Sequence, residues 1–124
     1  MTTVQRIKTL EERRQQLIEE LLQVEQMLRG SFGVAYRRCG TPTCWCADSY
    51  GHPINRITWS EKSVSKTKSI REEDIAWVKE QTDAYRRFRK NRKALREVER
   101  QINSALDAVE EKTVKRTRKL RAYL

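Results

Sequence analysis

The sequence predicts an α+β protein, mainly α, in which an N-terminal helix and a long C-terminal basic helix flank a small β insert. Three observations carry this expectation. Apolar residues recur at three- and four-residue intervals near both ends of the chain, and all three cysteines and both prolines fall between residues 30 and 70. No glycine or proline follows Pro53, so nothing in the composition interrupts a long final helix. The expected organisation is one domain overall: an amphipathic helix over 1–29, a β insert over 30–70 and a basic helix over 71–124.

From Thr3 to Arg29, Ile7, Leu10, Leu17, Leu21, Val24 and Leu28 are spaced alternately by three and four, apart from one slot filled by Arg14. That is a heptad seam. Ile18, Leu22 and Met27 widen the apolar face over the second half, and Gly30 is the expected stop. Between 30 and 70 the apolar residues alternate, as they do in half-buried strands. Strands are expected at Gly33 to Arg38, Asn55 to Ser60 and Val64 to Ile70, with Glu61, Lys62 and Ser63 turning the second into the third. Ser69 followed by Glu72 reads as a capping box, with Glu73 and Asp74 adding charge suited to a helix start. Beyond it, Ile75, Val78, Tyr85, Phe88, Leu95, Ile102 and Val109 continue an apolar stripe. Phe88, Leu95, Ile102 and Val109 fall seven apart, with Val98 and Ala105 between them, so the distal half also reads as a coiled-coil strand. The simplest arrangement is an antiparallel helical hairpin, or a dimer built from such helices, with the insert near the bend.

The most informative stretch runs from Cys39 to His52. It places Cys39, Cys44, Cys46 and the only histidine, His52, in a C-x4-C-x-C-x5-H pattern. In an extended chain Cys44 and Cys46 would face one way and Trp45 the other. Gly40 and Pro42 permit the reversal that brings Cys39 back, and His52 can close a tetrahedral zinc site. Buried structural thiols and a redox pair are the competing readings of such cysteines. An odd thiol count clustered with the sole histidine favours a metal in a reducing compartment. Four protein donors leave no open position, so the expected zinc is structural.

The run Tyr36-Arg37-Arg38-Cys39-Gly40-Thr41-Pro42-Thr43-Cys44-Trp45-Cys46, then His52-Pro53 and Thr58-Trp59-Ser60, resembles a small prokaryotic family of unknown function. Its members look like "YRRCGKPGCRCA", a short gap, "HGPYYYLSW" and then a long helix. The resemblance spans roughly residues 28 to 100 and implies that Cys39, Cys44, Cys46 and His52 are the ligands. After the histidine this chain has Pro53-Ile54-Asn55 where the family has Gly-Pro-Tyr. The family is associated with mobile genetic elements, which implies an accessory role and a protein partner such as a recombinase or transposase. It brings no activity.

Charge supplies the functional expectation. The formal net charge is +10, and the last third holds most of it: Lys and Arg outnumber Asp and Glu by 14 to 5 over residues 85–124, against 5 to 5 over 1–29. Arg86, Arg87, Arg89, Lys90, Arg92, Lys93 and Arg96 form one block without an acid; Lys112, Lys115, Arg116, Arg118, Lys119 and Arg121 form a second. Most charge runs are solvated helix faces, but those usually mix signs, and unrelieved cation density is the footprint of phosphate-backbone binding. Neutralising about five to eight phosphates would make the binding constant fall with roughly the fifth to seventh power of salt concentration. Nucleic acid is therefore the expected partner, DNA ahead of RNA, with Asn91 and Gln101 as candidates for base edges and Arg37, Arg38, Tyr36 and Trp45 as further contacts. The alternative is a coiled-coil interaction or adaptor module whose heptads, or whose exposed Trp45 or Trp59, dock on a partner protein. A homodimer through the heptad helices is expected in either case. No apolar run suits a membrane span and none reads as a signal peptide, so the expected location is cytoplasmic. No enzyme is expected: the histidine is committed to the metal, and no nucleophile with a free base and no phosphate-cradling loop is present.

Overall fold

The computed structural model describes residues 2–124, with the order α1 (Thr3–Leu22), β1 (Ser31–Arg37), β2 (His52–Glu61), β3 (Val64–Ser69) and α2 (Ile75–Arg118). It is α+β and mainly helical, with one three-stranded antiparallel sheet in the order β1-β2-β3. The chain divides into two compact units: the segment up to Val24 together with Phe88–Leu124, and Glu25–Arg87.

In the first unit α1 and the distal part of α2 run antiparallel. Arg14 Nε lies 3.5 Å from Glu99 Oε1, and Asn91 Nδ2 donates to Glu20 Oε2 at 3.3 Å; the residue numbers rise along one helix as they fall along the other. Leu17, midway between Arg14 and Glu20, sits level with Leu95 and is fully buried (0% exposed), and Val98 is buried beside this level. The one polar slot in the α1 seam is thus the place where the helices are tied by an ion pair. The α1 start carries a capping box that the sequence reading missed: the Thr2 hydroxyl accepts from the Gln5 N–H, and the Gln5 side chain accepts from the Thr2 N–H. Such a box satisfies two of the free N–H groups at a helix start.

Three expectations for α1 are corrected. The helix ends at Leu22 and not at Arg29, Leu22 points to solvent (80% exposed), and Met27 is also exposed. In the second unit the connector that replaces the last turns finds a tertiary bond instead, since the Leu28 N–H donates to the Gln81 carbonyl in α2. Gly30 is not a helix stop but the entrance to the sheet. Its φ is +130°, and a Cβ there would lie 2.7 Å from the Thr58 carbonyl oxygen.

The third strand begins at Val64 as expected, and the other strand bounds are shifted by one to three residues, because cross-strand pairing sets their ends. Ser31 to Arg37 pair with Thr58 to His52, and Arg56 to Glu61 pair with Ser69 to Val64. Lys62 and Ser63 form the two-residue turn, with φ of 50° and 65°. Both sit in the left-handed region, which the right-handed twist of a tight hairpin demands but which side chains resist. The capping box expected at Ser69 does not form. Arg71 precedes a short 3-10 turn (Glu72–Asp74) without a side-chain cap, and α2 follows from Ile75, where Val78, Gln81 and Thr82 are buried. The Ile70 N–H donates to Asn55 at 2.8 Å, which holds the chain to β2 and leaves Ser69 in the ladder.

Two stability measurements check this description. Leu17→Ala is expected to cost about 3 kcal/mol in denaturant unfolding, whereas Leu22→Ala costs less than about 0.5. Replacing Lys62-Ser63 by Asn-Gly is expected to raise stability by roughly 1 kcal/mol, visible as a higher Tm, because that pair accepts positive φ at both positions.

Candidate metal centre

The segment 38–51 joins β1 to β2 and carries all three cysteines; His52 is the first residue of β2, directly opposite Arg37. The loop is wound by its own backbone. Cys44 N–H donates to Thr41, Ala47 N–H to Cys44 and Ser49 N–H to Cys46, at 3.1 to 3.2 Å, and residues Trp45–Asp48 form a 3-10 turn. Arg38 Nε then donates to the Ser49 carbonyl at 2.8 Å, and the Gly51 N–H to the Ser49 hydroxyl at 3.1 Å, which ties the two ends of the loop together.

This winding gathers the sulfur and nitrogen atoms. Cys39 Sγ lies 3.4 Å from Cys46 Sγ, Cys44 Sγ lies 3.3 Å from His52 Nε2, and all four donor atoms lie within 4.8 Å of one another. The four groups can hold a metal ion. Cys44 and Cys46 converge through the 3-10 turn and not, as an extended chain would have it, by alternation. Trp45 accordingly does not turn away from the site: its ring meets His52 edge-on, with centroids 4.8 Å apart.

The electrostatics suit thiolate donors. The Cys39 thiol is lowered to about 6, chiefly by the Thr41 backbone N–H and then by the Thr41 hydroxyl, Cys46 and His52. At Cys46 the Cys39 N–H favours the thiolate, at 3.4 Å, but burial and the neighbouring sulfurs outweigh it and push this thiol up. Adjacent sulfurs without a cation between them resist carrying charge together, and a bound cation removes that conflict.

Gly51 is the residue of the site that the motif did not single out. It is buried at φ +110°, and a Cβ there would lie 2.3 Å from the Arg37 carbonyl carbon. Only glycine lets the loop return against the end of β1. The signal available in the sequence was a glycine immediately before the histidine ligand.

The expected nucleic-acid contacts lie apart from this centre or beside it. Arg37 and Arg38 are exposed at the end of β1. Arg86 and Arg87 are exposed in the second unit, with Arg86 paired to Asp83 at 3.2 Å. In the first unit Arg89, Lys90, Arg92, Lys93 and Arg96 are all exposed on α2, as are Lys115, Arg116 and Arg118 in its last turns and Lys119 after it. Asn91 and Gln101, expected at base edges, are occupied: Asn91 donates to Glu20, and Gln101 donates to Glu97 at 3.1 Å. Arg100, absent from the sequence reading, grips Glu97 and holds that carboxyl down to about 2.

A family profile described as a domain of unknown function (DUF6788) matches residues 7–80, more than half of the chain. The chain belongs to this family. The DUF6788 match takes in α1, the sheet, all four donors and the start of α2, and it ends before Arg86. No curated protein and no solved structure matches. Among the described residues no helix is long and apolar enough to cross a membrane.

Metal analysis checks the donor set. The purified protein is expected to carry about one ion per chain, and Cys46→Ser to lose it. Gly51→Ala, which removes no donor, is expected to lose most of it as well; normal loading of that variant would show that the loop does not need its close approach to Arg37.

Proposed function

We propose that the protein is a zinc-containing nucleic-acid-binding protein, with DNA ahead of RNA as its ligand, and that it is not an enzyme. The observation that carries the reading is the placing of cations on α2. In the helical hairpin Arg89, Lys93 and Arg96 recur at three- and four-residue intervals, on the side opposite Leu95, Val98 and Ile102. The seven-residue step from Arg89 to Arg96 is about 10 Å of helix, enough to face more than one phosphate. Lys90 and Arg92 flank this stripe.

Zinc is the metal that the donors favour. A tetrahedral ion with bonds of about 2.3 Å to sulfur and 2.0 Å to nitrogen would set sulfurs about 3.8 Å apart and sulfur and nitrogen about 3.6 Å apart. The observed 3.4 and 3.3 Å contacts are close to those edges. Three thiolates and an imidazole suit zinc over hard cations, and a closed set of four gives the ion a structural task.

The adaptor reading has one supporting observation. Val109 and Val114 are exposed on α2, where a helical partner would find an apolar surface.

A salt titration separates the two. Association with mixed-sequence DNA is expected to weaken steeply with salt, and the triple variant Lys90→Gln, Lys93→Gln, Arg96→Gln to flatten the log-log slope by about 2 to 3 while leaving metal content and helicity unchanged. An unaltered slope, or no association at low salt, would transfer the case to the adaptor.

A further inference from the structure

We infer that the metal end of the sheet is a stacking surface for unpaired bases, so that the ligand is a single strand of nucleic acid. This rests on the nucleic-acid reading and adds to it a substrate class and a second site, contained wholly in the unit Glu25–Arg87.

Trp45 is the anchor. It stands between two of the four donors, Cys44 and Cys46, at the start of the 3-10 turn, yet it is 64% exposed. Shielding a ligand explains one contact of the ring, the edge against His52, and leaves most of the indole in water. An exposed indole offers a broad planar face to a flat partner. A metal bound at the donors on both sides of it would fix the backbone that carries the ring, so less freedom would be lost when a planar group settles on its face. Arg37, on the strand residue opposite His52, and Arg56, four pairs further along the same face of the sheet, are both exposed and supply positive charge for the strand's phosphates. On the other face of the sheet at the same end, Tyr36 (60% exposed) and Tyr50 (89% exposed) tilt together with ring centroids 6.5 Å apart. Neither tyrosine is needed to fill a core.

Aromatic faces accept any base, but only one that is out of its duplex. Paired DNA offers its phosphates and groove edges and keeps its base faces stacked within the helix. The exposed rings and guanidinium groups therefore select unpaired strand, whatever its sequence.

The test uses the full-length, zinc-loaded protein with Trp59→Phe and Trp77→Phe, so that Trp45 is the remaining emitter, and a strand of roughly 12 nucleotides alone or as its duplex. Saturable quenching of Trp45 by the single strand and none by the duplex is expected. In the otherwise native protein Trp45→Ala is expected to weaken single-strand binding by about tenfold to a hundredfold at unchanged zinc content, and Trp45→Phe to keep most of it. Tight binding of both strands with no quenching and no effect of Trp45→Ala overturns the inference and leaves the cationic helix standing. Absence of binding to either form overturns both readings together, and the exposed indole would then belong to a protein contact.

Discussion

The second unit depends on closing the loop between β1 and β2. No residue of the three strands is buried: β3 is exposed throughout, and the best-covered positions of β1 and β2 are only half-covered. A sheet this thin gains little from apolar burial against the entropy of ordering its chain. The buried groups near its end are Cys46 and Gly51, one a donor and the other the point where the loop meets Arg37. Free energy released on binding an ion at these four donors would be folding free energy for the sheet, since no such site exists in the unfolded chain. The same closure sets the register at Arg37 and His52, from which the remaining β1-β2 pairs follow.

The hairpin of α1 and α2 obeys a different rule. Leu17 and Val98 are its only buried apolar side chains among the described residues, so its stability comes from a narrow seam and from ion pairs that are half exposed and worth little singly. A narrow seam leaves most of the helix circumference to solvent. On α2 that free surface carries cations at close spacing, with acids such as Glu97 already engaged by Arg100. The positive field is thus a direct consequence of a helix that buries a single stripe.

Most of this was legible from residue spacing. The heptads at Leu17 and Leu95, the alternation after Gly33, a turn that includes Lys62 and Ser63, and the clustering of the cysteines with His52 each follow from a period or a spacing, though Glu61 proves to belong to the ladder and the cysteines converge through a 3-10 turn. What the spacing did not reveal were competitions settled by tertiary contacts. Val24 and Leu28 continue the α1 seam by period, but the Leu28 N–H has a partner in Gln81, and a helix extended to Arg29 would forgo it. Ser69 has the spacing of a cap, yet its backbone is held in the β3 ladder opposite Arg56. Gly30 and Gly51 look alike in a sequence, as punctuation; their neighbours, Thr58 and Arg37, are distant or unmarked until the strands pair. Asn91 looked available for a base and is instead the partner of Glu20, because nothing in a single sequence says which polar group on a helix faces its neighbour.

The family match adds a division of labour. It spans the loop, the four donors and the aromatic end of the sheet, and stops before the cation block that begins at Arg86. The matched part therefore contains the four donors that can hold an ion, and the dense cation blocks lie on helix outside that part. The two respond to different physics. Attraction between cations and phosphates is lost as salt rises, whereas stacking of a base on an indole is short-ranged and nearly indifferent to it. A protein using both would show a steep salt response superposed on a residual affinity that survives at high salt. That residual would vanish on removal of an ion bound at the four donors, because the loop that presents Trp45 is the loop such an ion would hold.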